Sequence, residues 1–423
     1  MKTIVIGSAL FNWGETHRMV SIGLELQKRG YHIVFLGEGT YDSLLNNTGF
    51  TRAKIPEDRE WFTEERIRKM MEMDTYVNDY TSFEELKKQI QAEVEVMKKY
   101  NPVMVITGYR TTLSISARVI QAPLVWVMSS AISEKFFAKQ VSSLPENSIL
   151  NRYFEKDKMK KNKDIMLEFV KKMVVIYNET SRVWNKVNEF YGLPVFKSDL
   201  DIFKGDLNIV SDPLEFGEDE RGYKYCGPIF LRNKIELPEI VDRIDKSNRK
   251  KIFIILGSSG RKENFFSVMD AVRNLDYEFY VACNYTMSQD DKKKYPTNFH
   301  FGERFPVYEM AKKVDACITN GGQGTIYAVL AAGKPFVGIA LFMEQQYNLE
   351  TLTSRNYGIQ LQKEEVDMQS MKNALEKVLY DETIQSAAKE GGKIVEKYLM
   401  DPAFAAEKKA ADLIEEYLNE KKD

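Results

Sequence analysis

Cysteine is scarce in this chain of 423 residues: the three, Cys226, Cys283 and Cys317, lie far apart without paired spacing. That argues against a disulfide framework and against a zinc site. An excess of one charge is also missing. The formal net charge is -2, so no global field recommends nucleic acid as a partner. Long apolar runs are absent, because the stretch from Ala328 to Met343 is broken by Gly333-Lys334-Pro335 and falls short of the ~20 residues of a bilayer span. No transmembrane helix is expected. The N-terminal MKTIVIGSAL enters an apolar strand without the apolar run and small-residue cleavage site of a secretory signal, so a cytoplasmic location is the expectation. No repeat of short period is evident.

What is present is the balance of a globular protein, with 43% hydrophobic and 29% charged residues. At ~150 residues per domain the length implies two domains. Short β-branched runs alternate with helical patterns in both halves, as in βαβ units on a parallel sheet. The first half offers Thr3 to Gly7, Ile33 to Gly37, Val103 to Thr107, Leu124 to Met128 and Leu207 to Val210. The second offers Ile252 to Gly257, Phe279 to Cys283, Ala316 to Thr319 and Phe336 to Ala340. Between them, Pro228 to Lys251 reads as a charged, solvated linker. The domains expected are therefore 1–240, 241–400, and a C-terminal packing helix at 401–423 with the option of crossing back to the first domain. Lys156 to Lys172 mixes lysines with apolar residues, and is either a solvated helix or a segment lying on an anionic membrane surface.

The most informative stretch is Asn320-Gly321-Gly322-Gln323-Gly324-Thr325, followed by Ala331-Ala332-Gly333-Lys334-Pro335 and then Glu344-Gln345-Gln346-Tyr347-Asn348. It reads as strand, glycine turn, helix, strand and polar loop. Glycines let backbone approach a ligand closely, and the free N–H groups of a first helical turn, backed by the helix dipole, suit a phosphate. A tight strand-to-helix connection is the plain alternative.

Together these features resemble family 1 of the GT-B glycosyltransferases, whose pattern runs from an aromatic-Pro loop through HGGxGT and GxP to DQ and Asn. Here that block spans Phe301 to Asn348, with the spacing from Asn320 to Glu344-Gln345 and Asn348 matched without a gap. Gly14 to Arg29-Gly30-Tyr31-His32-Ile33 resembles the family's opening, and Trp184-Asn185 to Tyr225-Cys226-Gly227-Pro228 its approach to the second domain. The resemblance implies an α/β fold of two doubly wound Rossmann-like domains facing each other across a cleft. It also implies inverting transfer of a sugar from a UDP- or dTDP-linked donor to a hydroxyl of a small hydrophobic or lipid-like acceptor, usually with no metal and no other cofactor. No Asp-x-Asp pair stands near the glycine turn.

Carried over residue by residue, the resemblance assigns Gly257, Ser258 and Ser259 to the diphosphate, Arg304-Phe305 to the nucleobase loop, the turn from Asn320 through Gly321, Gly322, Gln323 and Gly324 to Thr325 to the phosphates, and Glu344-Gln345 to the sugar hydroxyls. Each has a structural alternative as a turn or a solvated loop. Acceptor contacts fall to the N-terminal half, with Phe11, Trp13, Tyr109, Trp126 and the aromatics of Asp74 to Phe83 as candidates. Partners are thus the nucleotide sugar and the acceptor, with peripheral membrane contact left open.

Several positions depart from the family. Counting back from Arg29-Gly30 puts Glu15 where the family has its catalytic histidine, with His17 two residues on; at that spacing on a helix the two face nearly opposite ways. Glu15 is favoured as general base, with a cap or first-turn charge as its alternative. Thr107-Gly108 stands where the family's aspartate partner falls, Asn320 replaces the histidine of HGGxGT, and Ala328 replaces the ribose-binding glutamate. These changes keep a second reading alive, a catalytically silent homologue assisting another transferase. A nucleotide-sugar epimerase of the same fold is a weaker third.

Overall fold

The computed structural model describes residues 1–61, 63, 65–66, 81–132, 181–217, 222–230, 248–257, 262–283 and 287–421. Ser258, Ser259, the charged stretch Lys156 to Lys172 and the aromatics before Thr81 lie outside the described residues. The chain forms two compact units, one holding the described residues up to Phe230 together with those from Phe404 on, the other those from 248 to Ala403.

The first unit is built on a seven-stranded parallel sheet of β1 (Thr3–Gly7), β2 (His32–Leu36), β3 (Thr51–Ala53), β4 (Met104–Thr107), β5 (Leu124–Met128), β6 (Leu207–Val210) and β7 (Lys224–Tyr225). The order is β3-β2-β1-β4-β5-β6-β7. A parallel sheet is covered by helices on both faces, so its inner strands are mostly apolar. Alternation sends Ile4, Ile6, Ile33, Phe35 and Ile106 to one core and Val5, Val34, Leu36, Val105 and Trp126 to the other. The first core is closed by two helices from opposite ends of the chain, Trp13–Lys28 and Ala406–Glu420. Arg29 ties them together: its Nη1 donates to Asp412 at 2.7 Å and Glu415 at 2.8 Å, and its Nη2 to the Lys408 carbonyl at 3.1 Å.

The second unit carries six parallel strands, β8 (Lys251–Ile255), β9 (Glu278–Ala282), β10 (Phe299–Gly302), β11 (Ala316–Thr319), β12 (Phe336–Ile339) and β13 (Gly358–Leu361), in the order β10-β9-β8-β11-β12-β13. Ile252, Ile254, Phe279, Val281, Ile318, Val337 and Ile339 form one core with the helices Lys262–Val272 and Met368–Tyr380. On the helix Glu382–Met400, a Cβ at Gly392 would lie 2.7 Å from the Leu330 carbonyl, so absence of a side chain there lets the helix Gln323–Ala331 pack closely. No described helix is long and apolar enough to cross a membrane.

Candidate active site

Each sheet reverses its winding once. In the first, the chain leaves β1 towards β2 and leaves β4 towards β5; in the second, the same happens at β8 and β11. Helices on opposite faces leave a crevice at the carboxyl ends of such strand pairs, where open α/β sheets bind ligands.

At the first switch point, β1 runs into Ser8, β4 runs into Gly108-Tyr109-Arg110, and the helix Trp13–Lys28 begins between them in sequence. Asn12 caps that helix, its Oδ1 accepting from the Glu15 N–H at 3.2 Å. Glu15 is therefore not the cap. Its side chain is 5% exposed and turns to the sheet edge, where the Ser8 hydroxyl donates to Oε2 at 2.5 Å. Oε1 is buried without a hydrogen-bond partner. Gly108 abuts the same carboxylate, since a Cβ there would lie 2.9 Å from Glu15 Cγ and 3.0 Å from Oε1. Burial raises the carboxyl pKa to about 7, against the smaller opposing pulls of the Ser8 hydroxyl, Arg18, Arg110 and the Tyr109 backbone.

His17 lives elsewhere. Also 5% exposed, it places Nε2 3.1 Å from the Ser21 hydroxyl. Burial and the neighbouring Arg18 charge lower its pKa to about 4, with the Phe230 backbone opposing, so it is a neutral imidazole at physiological pH. Beside Glu15 in sequence, Phe11 packs its ring 5.8 Å from that of Tyr109, both half-buried; Trp13 meets Tyr41 edge-on at 5.5 Å. Trp126, an expected acceptor contact, is fully buried in the core against Phe203.

The second switch point gathers Leu256-Gly257 after β8 and Asn320-Gly321-Gly322 after β11. A pocket opens there, lined by Gly257, Asn264, Phe265, Asn320, Leu341 and Lys363 among others. The Asn320 amide donates to the Leu256 carbonyl, bridging the two strand ends. Gly321 adopts φ +81°, and a Cβ on it would strike Leu349 Cγ at 2.6 Å. Its carbonyl accepts from Asn348 Nδ2 at 2.9 Å and its N–H donates to Thr319 Oγ1 at 3.2 Å. The turn is thus fixed on both sides before the helix Gln323–Ala331 starts at Gly322, which has no side chain to cap it. A Cβ on Gly324 would meet nothing within 4 Å, so the first turn is open at that position.

The remaining predicted residues divide. Arg304 is exposed, whereas Phe305 is 5% exposed with its ring 5.4 Å from Phe253, filling the space Gly302 leaves; it belongs to the core. Gln345 is 1% exposed and its Oε1 accepts from the Leu341 N–H at 2.9 Å, while Glu344 is half-buried. Among the described residues, no group of three His, Cys, Asp or Glu side chains is arranged to hold a metal ion.

Residues 266–407 match the family described as erythromycin biosynthesis protein CIII-like, C-terminal domain. Over 364 residues the chain is 24% identical to the PGL/p-HBAD biosynthesis glycosyltransferase of Mycobacterium tuberculosis, covering 85% of this chain and 80% of that one. CalG4, the calicheamicin glycosyltransferase, superposes with a TM-score of 0.67 at 15% identity, over 99% of this chain and 98% of its own. The spinosyn rhamnosyltransferase SpnG gives 0.63 at 14% identity when complexed with thymidine diphosphate, over 93% of this chain and 96% of its own. Complexed with spinosyn aglycone it gives 0.66 at 14%, over 99% and 100%. The chain has the GT-B fold of these glycosyltransferases, and its residues 266–407 carry the matching C-terminal domain.

The candidate site holds residues that motif reading did not find. Ser8 is one, although a hydroxyl immediately after the first strand of a doubly wound sheet was a signal available in the sequence. Arg110 is another. Fully buried, it donates from Nη1 and Nη2 to Asp58 at 2.9 Å and 2.5 Å, from Nε to Glu93 at 2.7 Å, and from Nη1 to the Ser8 carbonyl at 3.3 Å. Asp58 and Glu93 lie 52 and 17 residues away in sequence, so no local pattern announces the cluster.

Proposed function

We propose that this glycosyltransferase moves a sugar, with inversion, from a UDP- or dTDP-linked donor to a hydroxyl of a small hydrophobic or lipid-like acceptor, with Glu15 as general base. One observation carries the reading: a buried carboxylate at the carboxyl end of β1 and β4, one oxygen held by Ser8, the other unpartnered, its pKa near 7. A base titrating near the working pH is ionised often enough to act and basic enough to take a proton.

Glu15 Oε1 accepts the proton of the acceptor hydroxyl, whose oxygen attacks the anomeric carbon as the bond to the diphosphate breaks. The diphosphate carries away the electron pair. N–H groups at the start of the helix Gln323–Ala331, unsatisfied within the helix, offer preorganised donors to that charge. On this reading the helix start supplies the positive potential and no metal ion is asked for. The thymidine diphosphate and aglycone complexes of SpnG support a dTDP-type donor and a small-molecule acceptor.

The test is release of nucleoside diphosphate from a panel of UDP- and dTDP-sugars, with an acceptor mixture present, by the wild type and by Glu15→Gln. Turnover should fall ~10²-fold or more in the variant with donor affinity kept, the scale of a lost general base. Unchanged turnover would remove Glu15 from the chemistry.

A further inference from the structure

Ser8 is the point through which the backbone after β1, the buried charges behind it and Glu15 are connected. Its hydroxyl donates to Glu15 Oε2 at 2.5 Å and accepts from the Leu10 N–H at 3.1 Å. Its carbonyl accepts from Arg110 Nη1 at 3.3 Å, and its N–H donates to the Leu36 carbonyl at 3.4 Å. Thr16 Oγ1 stands 3.4 Å from the same hydroxyl, and with these contacts made the residue has one orientation. Leu10, which the hydroxyl restrains, is a fully buried non-glycine residue at φ +53°, a conformation that persists only where surroundings impose it.

Arg110 is equally determined. Asp58 engages both terminal nitrogens; Glu93, which also receives Thr112 Oγ1 at 2.5 Å and the Ser116 hydroxyl, engages Nε. Gln89 Nε2 bridges the two carboxylates, at 2.9 Å from Asp58 and 3.3 Å from Glu93. Gly37, at φ +117°, leaves the room this requires, since a Cβ there would lie 2.9 Å from Arg110 Nη1 and 2.8 Å from the Ser8 carbonyl. A guanidinium stripped of water and held on three sides cannot drift, and neither can the carbonyl it grips.

We propose that Ser8 and Arg110 are positioning residues for catalysis: Arg110, anchored by Asp58 and Glu93, fixes the turn after β1 so that the Ser8 hydroxyl holds Glu15 Oε2 and leaves Oε1 as the proton-accepting atom. The proposal rests on the reading of Glu15 as base. It gives Ser8 two effects on that base. The hydroxyl orients the carboxylate, and by donating to it favours the ionised form. The other charges facing Glu15 are Arg18 on its own helix, whose Nη1 donates to Ser211 Oγ at 2.9 Å, and Arg110 itself with Asp58 and Glu93 behind it. A Ser8 substitution leaves all four in place, so a change in the titration of Glu15 reports the lost hydroxyl.

The experiment compares wild type, Ser8→Ala, Glu15→Gln and the double variant by donor turnover against pH and by nucleoside diphosphate affinity. Ser8→Ala should lower kcat ~10- to 100-fold with KM for the donor unchanged, and should move the acidic limb of the pH–rate profile upward by about one unit. In the Glu15→Gln background the same substitution should cost less than about threefold, because there is no base left to position. If Ser8→Ala lowers stability alone, leaving limb and kcat in place while Glu15→Gln is inactive, the positioning role is overturned and the base survives. If Glu15→Gln is fully active, the base reading itself fails. Should Ser8→Ala not fold, Ser8→Cys, which keeps a weaker donor at the same point, is read by the same limb and the same cycle.

Discussion

Gly108 and Glu15 occupy mutually exclusive space: a side chain on the first would press its Cβ to 2.9 Å from Cγ of the second and 3.0 Å from its Oε1. Gly108→Ala should therefore push the carboxylate away from Ser8. We expect turnover to fall ~10²-fold, the cost of displacing a catalytic group by about 1 Å. Stability should fall by about 1–3 kcal/mol from overpacking. Thermal melting and turnover measured side by side check both, and a fully active variant would mean the carboxylate has room to spare.

The elevated Glu15 pKa gives two pH dependences of opposite sense. With Glu15 as the proposed base, kcat/KM should rise as pH passes about 7, and this limb should vanish in Glu15→Gln. Stability behaves the other way. The fold prefers the protonated carboxyl, so this group's contribution is complete below about 4.5 and is lost as pH rises through about 7. Glu15→Gln should accordingly gain on wild type by about 1–3 kcal/mol between pH 5 and pH 8. Melting temperatures of the pair across that range provide the check.

His17 should behave as a packing residue. His17→Gln is expected to keep turnover within about threefold, since the imidazole meets Ser21 and Phe230 and not the Ser8–Glu15 pair. Its folded pKa of about 4 lies below the ordinary 6.5, so its contribution is present above 6.5 and lost as pH falls through about 4. The variant should lose that part of the acid sensitivity in a melting series. A ~10²-fold loss of turnover would instead return His17 to the chemistry.

Two glycines of one turn should separate folding from donor binding. Gly321→Ala forces a side chain into φ +81° and into Leu349, and should destabilise by about 2–4 kcal/mol. Gly324→Ala meets nothing and removes backbone freedom from a helix, so stability should hold or rise by about 0.5–1 kcal/mol. The same methyl enters the space assigned to the diphosphate. Calorimetry with UDP and dTDP should show weaker binding to Gly324→Ala, and equal affinity would move the diphosphate elsewhere.

The strands the sequence did not announce are β3, β7, β10 and β13. These are the four edges of the two sheets. An inner strand of a parallel sheet is buried on both faces and reads as an unbroken apolar run, as at Ile4-Val5-Ile6 or Ile252 to Ile255. An edge strand is half-wet: the two residues of β7 are exposed and half-buried, and β10 carries a histidine. Its pattern merges with loop.

What the sequence determined alone was therefore whatever adjacent residues encode: the two sets of inner strands, the glycine turn from Asn320 to Thr325 leading into a helix, and the choice between Glu15 and His17 as a question of helix faces. Tertiary structure decided the rest. The environment of Glu15 comes from Ser8, Gly108 and Arg110, with Asp58 and Glu93 behind, brought from two strand ends and two helices. Phe305 and Gln345, given to the ligand by motif, were taken by the core and by the Leu341 N–H. A motif fixes which side chain stands at a position, but burial, which sets both rotamer and pKa, depends on neighbours that only the closed sheet supplies.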